Sequence, residues 1–283
     1  MMEVNAKSLL LDVLRSTHST AWPVKKLIEV AGMFGIKESA VRVTLSRLVV
    51  RGLIETSEHG SYLIKRAYDP VRNWIDDWKK GEERLTNWNG QWLCIYPPPK
   101  IRKKDWQSLD KAAQRLGFRV VQDRMWARPD NLAMPLQTMN ELLEAMSGLT
   151  HLMYATVVKL HVDDSELTLE ALWNRSELEQ EYRLCIKDLQ HCMRQQKDPE
   201  GLAALKESIE VGGNAIRLLA LDPLLPESMI DKNLRVELNA TTLKYNSMYH
   251  AAWTAFLDSD SIERVPINLN IEALSNLSLD RAQ

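Results

Sequence analysis

Residues 37–52 read KESAVRVTLSRLVVRG, and the periodicity of this stretch decides the architecture of the N-terminal part of the chain. Projected at 100° per residue, Val41, Leu45 and Leu48 fall in one stripe, joined in register by Gly52, where the helix stops. The opposite face collects Ser39, Arg42, Val43, Ser46, Arg47 and Val50. Upstream, Leu9, Leu10, Val13 and Leu14 mark a first helix over 6–16. A second helix, PVKKLIEVAGMF, ends at Gly35, with Pro23 expected in its first turn, where a missing N–H costs nothing. Downstream, 53–56 and 62–65 flank a turn-rich SEHGS and predict a hairpin. Three helices followed by a hairpin is the order of a winged helix-turn-helix, expected over residues 1–66.

The exposed face of that third helix carries the groups a DNA major groove calls for. Arginine pairs bidentately with guanine O6/N7, serine adapts to several base edges, and a valine methyl can lie on the thymine methyl. The N-terminal half of such a helix does the base reading, which selects Ser39, Arg42, Val43, Ser46 and Arg47. A lone amphipathic helix with this face is more often simply solvated. The closely spaced helix before it and the hairpin after it point to DNA. Lys25, Lys26, Lys65 and Arg66 suit phosphate contacts, which position the protein without specifying sequence. Equally they suit a solubilising surface, and His59 reads as a solvated turn residue. Residues 1–66 hold ten Lys/Arg against six acids, +4, whereas 67–283 is −6. A basic module on an acidic body fits a polyanion partner for that module alone.

The rest of the chain predicts an α+β fold. Residues 67–89 read as a connecting amphipathic helix with Trp74 and Trp78 four apart. Residues 90–164 follow a βαββαβ pattern: strands near 91–96, 118–121, 125–127 and 154–162, with helices near 105–116 and 137–146. This is the order of a ferredoxin-like, Cas2-like sandwich. From 165 to 283 strand signals vanish, and helical periods cover 176–195, 201–221 and 234–257, the last two separated by Asp222-Pro223 and Pro226. The terminal SLDRAQ is expected to fray.

Several function classes are set aside. No run of 18 apolar residues and no secretory signal pattern occur, so a cytoplasmic location without membrane partners is expected. Cys94, Cys185 and Cys192 make no disulfide framework and read as small buried hydrophobes. There is no GxSxG, no HExxH and no phosphate-cradling glycine loop. His161, Asp163 and Asp164 form the best small cluster for a metal and read as a solvated strand exit. His191-Cys192 and Asp76-Asp77 diverge on their helices. No catalytic residue, metal or cofactor is therefore assigned. The tryptophans read as core anchors, and Arg102-Lys103-Lys104 as solvated surface rather than a CoA-phosphate or flanking-DNA contact.

Four segments then carry a resemblance: ESAVRVTLSRLVVRGLIE, WNGQWLCIYPPP, ALWNRSELEQEY and LLALDPLLPES. In this order they resemble the phenylacetic-acid degradation repressor family, the PaaX-like transcriptional regulators. The resemblance implies a winged helix, a Cas2-like middle domain and a helical C-terminal domain for effector and dimer. It also implies a homodimer repressing catabolic genes of the phenylacetate or aromatic-acid type until a CoA thioester, such as phenylacetyl-CoA, releases it. The residues carried over are Ser39, Arg42, Val43, Ser46 and Arg47; no short motif assigns effector contacts. Two reading helices 34–36 Å apart would match a palindromic operator, and the linking helix with Trp74 and Trp78 is the expected route by which effector changes their angle. The alternatives are a DNA-binding factor with no effector and a Cas2-like metal-dependent nuclease. Against the nuclease, Cys94 and Tyr96 stand where its strand needs an aspartate.

Overall fold

The apolar stripes of the first three helices close on one another. Leu9, Leu10, Val13 and Leu14 of α1 (Ala6–Ser16), Leu27, Val30 and Ala31 of α2 (Val24–Met33), and Val41, Leu45 and Leu48 of α3 (Glu38–Val50) are all buried. The computed structural model describes residues 5–16, 21–57, 60–65, 70–122, 124–157, 172–195 and 202–258. They form two compact units. The described residues of the first lie within Met1–Tyr68, Lys187–Arg217 and Thr241–Leu279, and those of the second within Asp69–Ile186 and Leu218–Ala240. Mixed helices and two small antiparallel sheets make the chain α+β.

In the first unit, β2 (Ile54–Ser57) and β3 (Ser61–Ile64) pair as the expected hairpin, Ile54 opposite Ile64 and Ser57 opposite Ser61. A third strand was not anticipated. β1 (Trp22–Pro23) lies on β3 with Trp22 opposite Tyr62 and Pro23 opposite Ser61. Pro23 is thus extended (φ −58°, ψ 138°) and stands before α2 rather than within its first turn. Burial of the Trp22 indole draws this dipeptide onto the sheet, and proline tolerates an edge position because it has no N–H to leave unpaired.

The same unit holds the end of α7 (Arg175–Gln195), α8 (Leu202–Glu207), the start of α9 (Gly213–Ala220) and the end of α10 (Lys232–Asp258). The expected single helix over 201–221 is interrupted by one wide π turn, Ser208–Gly212. A Cβ at Gly212 would lie 3.0 Å from the Tyr245 ring, so a side chain there would displace it. Around this turn Trp253 donates its indole N–H to Ser208 Oγ at 3.0 Å, and Tyr249 its hydroxyl to Glu207 Oε1 at 3.0 Å.

The second unit is built on β4 (Trp92–Tyr96), α5 (Lys103–Arg115), β5 (Arg119–Gln122), β6 (Met125–Pro129), α6 (Leu136–Ser147) and β7 (Met153–Val157). The strands run β5-β6-β4-β7, every pair antiparallel. Leu93, Ile95 and Trp126 of the sheet share a core with Leu109, Ala112 and Ala113 of α5 and Met139, Leu142 and Leu143 of α6. The expected helix over 67–89 is shorter: α4 (Pro70–Asp76) gives way to a tight 3-10 stretch, Asp77–Arg84, whose backbone leaves helical geometry at Gly81. Trp74 enters the core just described and Trp78 is fully buried.

Distant segments of the second unit meet at Asp222–Pro226. Asp222 is 2% exposed; its Oδ2 accepts the Tyr182 hydroxyl at 2.5 Å and its Oδ1 the Leu224 N–H at 2.7 Å. Arg128, 1% exposed, donates to the carbonyls of Leu116, Pro129 and Pro223 and to Asn131 Oδ1. Asn131 in turn donates to Leu224 O at 2.9 Å. Burial pushes the Arg128 guanidinium down to about 9, which leaves it charged at neutral pH. Trp173, stacked on Trp92 with centroids 6.1 Å apart, donates to Gly117 O at 2.9 Å. At Gly117, φ is +80°, and a Cβ would meet Pro223 O at 2.6 Å. Gly117→Ala therefore combines a left-handed backbone penalty with a clash against main chain. A loss of about 2–3 kcal/mol is expected in urea unfolding; an unchanged midpoint would show that the Pro223 loop shifts freely.

Candidate nucleic-acid interface

α3 is reached by a turn in which Ile36 N–H returns to Ala31 O at 3.1 Å, so α2 and α3 follow each other closely. With Val41, Leu45 and Leu48 turned to the core, the helix presents Ser39, Arg42, Val43, Ser46 and Arg47 to solvent, and all five are exposed. They lie on one face of one helix, with polar and apolar contacts interleaved.

Arg42 is already engaged. Its Nε donates to Glu38 Oε1 at 2.7 Å, and its Nη2 lies 2.7 Å from the same oxygen. Sequence reasoning passed over Glu38, although its i,i+4 spacing to Arg42 was visible. Both side chains are more than half exposed, so the pair is worth about 0–1 kcal/mol. A bidentate arginine–guanine contact is worth about 1–3 kcal/mol of discrimination, enough to displace Glu38. The carboxylate holds the guanidinium over the first turn of α3.

The cations around the helix separate into kinds. Lys25, on α2, is exposed. Lys65, directly after β3, is exposed while its backbone N–H bonds Leu53 O at 3.2 Å. Lys26 departs from its expected phosphate role. It is 4% exposed, its ammonium sits 4.4 Å from the centroid of the Phe256 ring, and Glu29 lies 3.4 Å from it. An amine held over an aromatic face inside the protein serves packing of α2, and Val30, one turn on along the same side, is buried with it. Arg66 and His59 lie outside the described residues. Lys65→Ala should weaken binding to every DNA sequence alike and make the slope of log affinity against log salt shallower by about 0.9. Anisotropy titrations across a salt series measure this, and a change in sequence preference would contradict a phosphate role.

Burial raises the Cys94 thiol, and burial together with Glu207 pushes Cys192 up to about 11, so neither is a thiolate at neutral pH. Tyr96 points its hydroxyl at Met125 Sδ, 2.7 Å away. No group of three or more His, Cys, Asp or Glu among the described residues is arranged to hold a metal ion. His161, Asp163 and Asp164 lie outside them. No described helix is long and apolar enough to cross a membrane.

Residues 5–65 match a protein-family model described as PaaX-like protein. No curated protein matches the chain. Among solved structures, the uncharacterized protein Rv0674 from Mycobacterium tuberculosis is 22% identical, with a TM-score of 0.59 over 89% of this chain and 98% of its own. At that identity the likeness concerns the fold.

Proposed function

We infer that this chain, whose residues 5–65 match the PaaX-like family model, is a transcriptional regulator with DNA as its partner. In this reading residues 1–66 act as a winged helix-turn-helix whose α3 enters the major groove. Residues 67–89 connect it to a ferredoxin-like middle domain at 90–164 and a helical region at 165–283 that serves dimerisation and sensing. Ser39, Arg42, Val43, Ser46 and Arg47 read bases, while Lys25, Lys65 and Arg66 bind phosphates. The observation that carries the reading is the joint exposure of those five residues on one face of a helix whose opposite face is wholly buried. The protein works as a homodimeric repressor of aromatic-acid catabolic genes on a palindromic operator, and an aryl-CoA thioester such as phenylacetyl-CoA releases it.

Contacts within the first unit support a route from sensing to reading. α2 packs on α8, Lys206 lies 5.6 Å from the Phe34 ring centroid, and Lys26 lies over Phe256. A ligand that shifts α8 or the end of α10 therefore tilts α2, and α2 sets the position of α3.

The test is titration of the full chain against a duplex from the DNA upstream of its gene and a scrambled duplex of equal length. Preference for the first by about a thousandfold or more is expected, as is its loss on adding phenylacetyl-CoA. Equal affinity for both duplexes would end the sequence-reading role. Thermal unfolding without any shift across a panel of acyl-CoAs would end the effector role, since ligand at 100 times its Kd adds about 2.7 kcal/mol.

A further inference from the structure

α5 opens on two lysines at the end of the helix that disfavours cations, beside Asp105, and closes on Arg115 at the end that favours them. Arg102, Lys103 and Lys104 stand at its beginning, where aligned peptide dipoles already place partial positive charge. Of these Arg102 has a counter-ion: Asp105 accepts its Nε at 2.7 Å and its Nη2 at 3.2 Å. The helix's other carboxylate, Asp110, is occupied by the Trp126 indole at 2.8 Å and the Gln114 amide at 2.9 Å. Lys103, Lys104 and Lys111 are exposed and form no ion pair among the described residues. Arg115, one turn beyond Lys111, is partly buried; burial lowers its guanidinium pKa with no carboxylate to oppose it. At the head of the helix Arg124 bonds Pro99 O at 2.9 Å and lies 5.9 Å from the Trp106 ring centroid.

These cations are segregated rather than scattered. Residues 100–124 hold eight Lys/Arg against three acids, a local +5 within a 67–283 body that is −6. On the helical wheel Lys104, Ser108, Lys111 and Arg115 share one narrow sector that contains no carboxylate. From 104 to 115 this stripe is about 16 Å long. One strand of B-DNA advances about 3.4 Å per phosphate, so the stripe can follow several in succession. A merely solubilising face would mix both signs and would keep cations away from the positive end of the helix dipole.

We propose that this face of α5, formed by Lys104, Lys111 and Arg115 with Lys103 beside it on the first turn, is a second DNA contact that binds the phosphate backbone without reading bases. For Lys103 and Lys104 it takes up the flanking-DNA alternative to the solvated surface expected from sequence, and it rests on the DNA-binding role proposed for α3. Lysine-rich contacts of this kind add affinity and salt dependence and leave sequence choice to the reading helix.

The experiment uses the full chain carrying Lys103→Gln, Lys104→Gln and Lys111→Gln together, with the upstream and scrambled duplexes over a salt series. Loss of three phosphate contacts should make the log–log slope shallower by about 2.7, so that between about 50 and 200 mM salt the parent loses roughly fortyfold more affinity than the variant. Affinity for both duplexes should fall alike, with their ratio unchanged. The variant's thermal midpoint should equal or exceed the parent's, which separates lost contacts from lost folding. An unchanged slope overturns the proposal, and so does a collapse of the affinity ratio. An unchanged DNA slope with lost binding to poly-glutamate assigns the face to acidic peptides and overturns it too. Arg47→Ala, run in parallel, separates the two claims: a preserved ratio in that variant, beside a flattened slope in the triple variant, removes the reader assignment and leaves the α5 contact standing.

Discussion

Asp222→Ala should destabilise the four-stranded unit by about 3–5 kcal/mol, the cost expected when one partner of a buried charge network is removed. Asp222 faces Arg235 Nη1 at 4.0 Å, and Arg235 is itself buried, held by Glu82 at 2.7 and 3.1 Å and by Leu225 O at 2.9 Å. Burial lowers the Arg84 guanidinium, and Asp222 is the foremost group opposing that shift. The Tyr182 hydroxyl is raised by burial and by the same carboxylate. Removing Asp222 thus leaves two buried cations short of negative charge, frees a phenol, and takes the acceptor from the Leu224 N–H. Asp222→Asn keeps an acceptor for that N–H and should fall between. Seven of the nine tryptophans lie in this unit, so intrinsic fluorescence during urea unfolding follows it selectively. A loss below about 1 kcal/mol would mean that the arginines find other compensation, contrary to a network centred on Asp222.

The second large effect concerns recognition. Arg42→Ala and Arg47→Ala should each cost about 1–3 kcal/mol in affinity for the upstream duplex and relax preference at one base position. Arg47 is exposed, whereas Arg42 must first part from Glu38. Release of a surface ion pair offsets Arg42's contribution by at most about 1 kcal/mol, so Arg47 should show the larger loss. Competition titrations with singly substituted duplexes measure both. If both variants bind and discriminate as the parent does, α3 is not the reader.

What the sequence revealed depended on how far apart the partners lie. Val41, Leu45 and Leu48 could be placed because helical periodicity is local, and their burial follows the wheel. The βαββαβ order was legible for the same reason. β1 was not: two residues have no period, and Trp22 belongs to a strand only because Tyr62 lies opposite. Lys26 has the composition of a surface residue, and what buries it is Phe256, far along the chain. Arg84, Arg128 and Arg235 are buried arginines that no propensity singles out. LLALDPLLPES stood out as a distinctive run, yet its spacing did not disclose that its carbonyls are bonded by Arg128 and Asn131. Several of the segments that carried the family resemblance meet in this knot: Trp92 stacks on Trp173, and Tyr182 bonds Asp222. Their distinctiveness is that of mutually dependent packing.

The support of α2 by α8 and Phe256 has a bearing on modularity. Many DNA readers can be exchanged between proteins as contiguous cassettes. Here a cut after residue 66 would strip α2 of the helix it rests on and bare the Lys26 side chain and the Phe34 ring to water. A chimera that transplants this unit must bring pieces from three separate stretches, drawn from within 1–68, 187–217 and 241–279. A unit assembled this way is inherited as part of a whole chain, and recombination would seldom pass it on alone.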